Sequence, residues 1–151
     1  MQSPIAKVQS VAGMKAVTLL VALSLRLASG ETPWCTCAPF VSFEHTEVMV
    51  YNSHEIKIND CENDKRKCNN ECNAYLSSNT NEGDLWYAIN GATVGQHVCS
   101  YVFQHDLMPF LMHKMVYGYY QVCGGAWQYA EISSKEPLCC ELGNQKHCTE
   151  L

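Results

Sequence analysis

Two cysteines in direct succession, Cys139-Cys140, constrain this chain more than any other feature. Their alpha carbons sit about 3.8 Å apart across a trans peptide, closer than a disulfide ordinarily spans, so each is expected to bond to a different distant partner. The pair is therefore a covalent knot. Around it the sequence runs C-x3-W-x11-C-C-x2-G-x4-C, from Cys123 through Trp127 to Cys148. Gly143 and Asn144 both tolerate positive φ, which makes a turn back toward Cys148 and a stapled C-terminal hairpin or loop the local expectation.

All ten cysteines, Cys35, Cys37, Cys61, Cys68, Cys72, Cys99, Cys123, Cys139, Cys140 and Cys148, follow an apolar N-terminal run. Met14-Lys15, the run Ala16 to Leu25 and the small residues Ala28-Ser29-Gly30 read as a secretory signal with cleavage after Gly30. The run is interrupted by Arg26 and falls short of the roughly 20 apolar residues a membrane span needs. Residues 1–13 read as an extension before a functional start at Met14, and 31–151 as a single cysteine-rich domain. An even cysteine count in an exported chain points to five bridges and no spare thiol. Cleavage removes Lys7, Lys15 and Arg26 and moves the formal charge from −5 to about −8. Nucleic acid is excluded as a partner on that balance, because phosphate binding needs clustered cations. The one basic cluster, Lys65-Arg66-Lys67, is surrounded by Asp60, Glu62, Asp64 and Glu71 and reads as a solvated helix face. No N-x-S/T sequon is present.

Along the domain, residues 31–43 predict an extended start with Cys35 and Cys37 on one face. Glu47 to Tyr51 and Glu55 to Ile58 alternate in polarity and predict a hairpin through Asn52-Ser53-His54. Asn59 or Asp60 would cap a helix to about Leu76, whose stripe contains Cys61, Cys68, Cys72, Tyr75 and Leu76. Cys68 and Cys72 point the same way, one turn apart. Two parallel bridges from Cys35/Cys37 to Cys68/Cys72 are one possibility; bridges from each pair to the C-terminal knot are the other. Ser77 to Asp84 reads as an exposed loop, Asp84 to Ile89 as a short strand, and Asn90-Gly91 as a hairpin turn. Val98 to Phe103 fits either strand or buried helix. Asp106 would cap a second helix, ended by Gly118, with Leu107, Met108, Leu111, Met112 and Met115 filling the core. The fold class expected is a small disulfide-rich α+β domain with one or two helices and short antiparallel strands.

Cys35-Thr36-Cys37 followed by Phe40, and the C-terminal spacing with Trp127, Ser133 and Gly143, resemble the insect follicle cell protein 3C family, secreted by ovarian follicle cells. The resemblance covers both ends of the domain. In the middle, where the family has a close cysteine pair before its last C-x3-W block, this chain has only Cys99. What the resemblance implies is a secreted component of the egg covering, with no catalytic activity to carry over and with extracellular proteins or matrix components as partners.

Catalytic and metal motifs fare poorly. A vicinal cysteine pair followed by His-Asp would be the phospholipase A2 arrangement, but Glu141-Leu142-Gly143-Asn144 follow here. Asp60, Glu62, Asp64 and Glu71 match positions 1, 3, 5 and 12 of a calcium loop, yet Lys65 stands where glycine is required. His97, His105 and His113 are spaced eight apart, which is not a ligand spacing, and no G-x-S-x-G elbow occurs. No cofactor or metal is expected. The eight tyrosines are core and rim residues with phenol tips at solvent, or, if the egg-covering resemblance holds, sites of oxidative cross-linking. The expectation is thus a secreted, non-enzymatic structural or matrix-associated protein; the alternative is a soluble extracellular binding module such as an inhibitor, a carrier or a salivary or venom effector, presenting the 77–84 loop. A hydrolase would require a pocket joining histidine, carboxylate and nucleophile.

Overall fold

The computed structural model describes residues 32–44, 46–105 and 108–149. The signal segment, its cleavage position and the Asp106 cap lie outside them. The elements are β1 (Trp34–Phe43), β2 (Thr46–Met49), β3 (His54–Lys57), α1 (Lys65–Thr80), β4 (Ala88–Ile89), β5 (Ala92–Thr93), α2 (Val94–His105), β6 (Phe110–Lys114), β7 (Val116–Val122), β8 (Gln128–Ser133), β9 (Leu138–Glu141) and β10 (Asn144–Lys146). The class is the small disulfide-rich α+β fold expected. No helix among the described residues is long and apolar enough to cross a membrane.

The main sheet has the order β2-β1-β7-β8, with β3 also on β1, and every pairing in it is antiparallel. Strand β1 is its centre because its inward side chains, Cys35, Cys37, Pro39 and Val41, lie opposite Val122, Tyr120, Gly118 and Val116 of β7. Helix α1 packs on that face through Cys68, Cys72 and Leu76. The helix is fastened there by Cys35–Cys68 and Cys37–Cys72, so of the two open pairings the strand-helix clamp is the one adopted. The periodicities explain why this works. Cysteines two apart on a strand and four apart on a helix present two thiols each on one face, at matching separations.

Smaller antiparallel elements complete the fold: the sheet β10-β9-β6 and the hairpin β4-β5. Helix α2 lies against β9, β10 and β5, and Cys99–Cys140 ties it to β9. Two apolar clusters result. One gathers Cys35, Cys37, Cys68, Cys72, Leu76 and Tyr120; the other gathers Val41, Leu85, Val98, Val102, Leu111 and Leu138. Cys61–Cys123 ties the approach to α1 to the β7-β8 turn.

Five expectations need correction. The segments 47–51 and 55–58 do not form a hairpin with each other: β2 and β3 both pair with β1, one after the other along the same edge. Their alternation is that of one edge strand interrupted near Pro39, whose carbonyl accepts the Val50 N–H at 3.0 Å. Helix α1 begins at Lys65 and extends to Thr80, beyond Leu76. Its expected first turn is an Asx turn, in which Asp60 Oδ1 accepts the Glu62 and Asn63 amides at 2.7 and 2.9 Å, leaving Cys61 outside the helix and free to reach Cys123. The supposed exposed loop 77–84 is helical to Thr80, and Gly83 within it is buried.

The fourth correction is the largest. The expected helix up to Gly118 is instead the strands β6 and β7. His113 has φ +52°, and the β6–β9 register shifts between Leu111 and Lys114. One extra residue in a strand turns a period of two into local spacings of three and four, which imitates a helix. Of the methionines and leucines assigned to that core stripe, Leu111 is fully buried whereas Met112 is exposed, and Leu107 lies outside the described residues. Finally, Cys139 and Cys140 do take different partners, but only Cys140 reaches far. Cys139 closes a separation of nine residues to Cys148, stapling the β9-β10 hairpin that turns at Gly143, φ +79°.

Candidate functional site: an apolar cleft between the two cores

On the inward face of β7 the side chains run Val116, Gly118, Tyr120, Val122. Where Gly118 stands there is no side chain, and its partner across the ladder is Pro39. A Cβ at position 118 would lie 2.5 Å from Leu76 Cδ1 and 2.6 Å from Ile132 Cγ2, so glycine is required for helix α1 to approach. Beyond this close contact, the sheet, the end of α1 and the start of α2 do not fill the space between the two clusters. The result is a cleft of about 240 Å3 between the two clusters.

Its floor is Cys37, Pro39, Val116, Gly118 and Ile132, and one wall is the end of α1, from Tyr75 to Thr80. The other wall is the start of α2, with Val94, His97 and Val98, together with Leu85, Ile89 and Asn90. Helix α2 begins here because Thr93 Oγ1 accepts the Gln96 N–H at 3.1 Å, an N-cap bond. The β4-β5 turn uses Asn90 and Gly91 at φ +52° and +86°, as its Asn-Gly sequence predicts. At the end of α1, Asn81 adopts the left-handed conformation, and Thr80 Oγ1 donates to Leu76 O at 2.7 Å while accepting Gly83 N–H at 2.8 Å. Gly83 has φ +88°, and a Cβ there would fall 2.3 Å from the Ser133 carbonyl. Positive φ and close backbone approach thus fix glycine at the cleft wall.

Among the described residues, no Asp, Glu, Lys or Arg lines this cleft. The polar groups of the lining are Tyr51, Tyr75, His97, the amides of Asn52, Asn79 and Asn90, and the hydroxyl residues Thr80, Ser133 and Ser134. Tyr51 and Tyr75 are more than a third exposed. His54 stacks on Tyr75 with centroids 3.9 Å apart, and Tyr51 leans on Tyr101 at 5.6 Å, so both tyrosines are held by aromatic neighbours. His97 Nε2 lies 2.9 Å from the Ile89 carbonyl. A carbonyl can only accept, so Nε2 carries the hydrogen and Nδ1 is left as an acceptor in the neutral ring. A hydrolytic triad needs a carboxylate behind the histidine; the group behind His97 is that backbone carbonyl.

The C-terminal residues on which the resemblance rests, Trp127, Ser133 and Gly143, separate. Trp127 lies on the opposite face of the sheet, over Phe40 at 4.9 Å, in an aromatic group with Tyr117, Tyr119 and Tyr129. Burial raises the Tyr119 phenol above its ordinary pKa, and Glu47 adds to the shift. Gly143 turns the β9-β10 hairpin against Phe103. Ser133 lines the cleft. Its neighbour Ser134, which the sequence reading passed over, is the buried hydroxyl: Ser134 N–H donates to Val116 O at 2.7 Å, and Ser134 Oγ accepts Val116 N–H at 3.0 Å. Gln96 and Gln145 were also missed. Gln145 N–H donates to Gln96 Oε1 at 3.0 Å and Gln96 Nε2 donates to Gly143 O at 2.8 Å, joining α2 to the C-terminal hairpin. Glutamines give no positional signal in sequence, and the cleft's glycines, Gly83 and Gly118, read there as a loop residue and a helix end.

The calcium-loop spacing assembles nothing of that kind. Asp64 Oδ2 accepts the Asn59 and Asp60 amides, Asp60 is bonded as described, and Glu71 lies on α1. These backbone bonds hold the exposed Asp60 carboxyl below its ordinary pKa. Among the described residues, one trio has metal-ligand proximity, His113, Cys139 and Cys148. Its two sulfurs are joined in the Cys139–Cys148 bridge. Of the other histidines, His105 tilts over Tyr101 and His147 stacks on Trp86, while His45 lies outside the described residues.

Compared with protein-family models, with curated proteins and with solved structures, the chain matches none.

Proposed function

We propose that this chain is an exported binding module: a disulfide frame that holds an apolar cleft between two small cores. The observation that carries the reading is the cleft itself, with its apolar floor, its neutral polar groups and, among the described residues, no charged lining. Concave, mostly apolar sites with few convergent polar groups are the usual form of small-molecule sites. The ten cysteines of the described domain are all paired, which supports an oxidising compartment. The recognition surface is this cleft rather than a projecting 77–84 loop, since the first half of that segment is helix and its glycine is buried.

Native mass spectrometry of protein collected from the medium of secreting cells tests the reading. The expected result is a chain beginning near Glu31 with all cysteines oxidised, which takes up a small molecule noncovalently from a neutral metabolite extract. A chain retained in the cell with reduced thiols, or one that takes up nothing, would overturn it.

A second reading, a matrix component similar to the follicle cell protein 3C family, is favoured by the aromatic outer face. There Tyr129 lies 6.0 Å from both Tyr117 and Tyr119. Close phenols of this kind suit oxidative coupling into a matrix. Tryptic mass spectrometry of native material that found only linear tyrosine peptides would remove that reading.

A further inference from the structure

The binding-module reading says that the cleft is used; its lining also says what it can hold. A carboxylate or ammonium seated on the floor would lose hydration, with no opposite charge among the described lining side chains to replace it. Such burial is unfavourable, so the part of an occupant seated on the apolar floor is uncharged, and a wholly neutral ligand suits the cleft best. Size gives a second bound. A cavity of about 150 Å3 holds one benzene ring, so by proportion the 240 Å3 cleft holds about ten non-hydrogen atoms. That is a fused bicyclic ring or a compact branched chain, smaller than most cofactors.

The polar groups give the third. His97 has Nε2–H engaged with Ile89 O and retains Nδ1 as an acceptor. Asn79 donates through Nδ2 to Tyr75 O at 2.7 Å and so retains its amide oxygen as an acceptor. Tyr51 and Tyr75 add phenol oxygens that accept as well as donate. A hydroxyl on the ligand can give its proton to one of these acceptors and take a hydrogen bond from a phenol. An ether or a bare hydrocarbon lacks that proton.

We propose that the cleft is a site for a small neutral alcohol or phenol, its apolar body against Leu76, Val98, Val116 and Ile132 and its hydroxyl among Tyr51, Tyr75 and His97. The proposal rests on the binding-module reading and narrows it to one ligand class.

Isothermal titration of the oxidised, five-bridge protein with three probes of one skeleton tests it: 2-naphthol, naphthalene and 2-naphthoate at neutral pH. The expected result is saturable one-site binding of 2-naphthol, several-fold weaker binding of naphthalene, and 2-naphthoate weaker than 2-naphthol by tenfold or more. Filling the cleft in Ser133→Phe should abolish 2-naphthol binding while wild-type melting and all five bridges persist. Should that variant fail to fold, Asn79→Trp at the end of α1 provides the same comparison.

Binding of 2-naphthoate as tight as 2-naphthol, still lost in the filled variant, would overturn the neutral-hydroxyl assignment and leave the binding module standing. Equal binding of naphthalene and 2-naphthol would overturn the role given to the hydroxyl. If no probe binds, or if binding is indifferent to the filled variants, the ligand assignment and the use of the cleft fall together.

Discussion

Replacing Cys35 and Cys68 by alanine while keeping Cys37–Cys72 should destabilise the protein much less than the spacing of 33 residues suggests. With the second bridge intact, the unfolded chain is already closed between the same two segments. The missing bridge then adds only a small ring, Cys35 to Cys37 plus Cys68 to Cys72, of about eight residues. By chain entropy such a ring is worth about 2.5 kcal/mol, against about 3.8 kcal/mol for a loop of some 35 residues. The converse variant, Cys37/Cys72 to alanine, should lose about the same 2.5 kcal/mol. Removing both bridges releases the long loop as well, for a total of about 6.3 kcal/mol, or about 1.3 kcal/mol more than the two single losses added. Sulfur packing lost from the folded core enters single and double variants alike and largely cancels from that difference. Urea titration under non-reducing conditions provides the four stabilities, and the m value should rise most in the double variant, whose unfolded state is least constrained. If the losses add to within about 0.5 kcal/mol, the bridges act independently and the account of this clamp as redundant covalent closure is wrong.

The glycine positions carry two sharp expectations. Gly83→Ala combines φ +88° with a contact 2.3 Å from an immovable carbonyl, and should cost about 2 kcal/mol or more by thermal melting. Gly118→Ala clashes with side-chain carbons of Leu76 and Ile132 and should cost about 1 to 3 kcal/mol, and in the double variant with Leu76→Ala the total loss should be less than the sum of the two separate losses. Ser134→Ala leaves the buried Val116 N–H without its acceptor, for about 1 to 3 kcal/mol, whereas Ser133→Ala should be nearly silent in the same melt. Asp60 has a folded pKa below its unfolded one, so its contribution is present above the unfolded pKa and is lost as pH falls through the folded one. Wild type should therefore be more stable than Asp60→Asn at neutral pH and converge with it in acid; parallel acid denaturation curves would refute this.

Features decided within a few residues were legible in the chain. Asn90-Gly91 announced a two-residue hairpin turn, Gly143 the C-terminal one, and the spacing of Cys35/Cys37 and Cys68/Cys72 announced a strand and a helix able to share two bridges. Periodicity misled where the backbone breaks its own period. The His113 bulge gave β6 the spacing of a helix, and the interruption opposite Pro39 made one edge strand resemble a hairpin. The cleft was not legible at all, since its lining comes from segments that meet only once β1 and β7 are paired and α1 is laid over them.

By itself the sequence determined the covalent logic: ten cysteines, two of them adjacent, all following the apolar N-terminal run. It determined as well the residues able to turn, because the freedom of glycine and asparagine at positive φ is intrinsic. Only the tertiary structure decided which cysteines meet, where two clusters leave space between them, and which serine of 133 and 134 is buried. Those outcomes depend on which strand lies beside which, and strand pairing joins residues tens of positions apart that carry no local mark of one another.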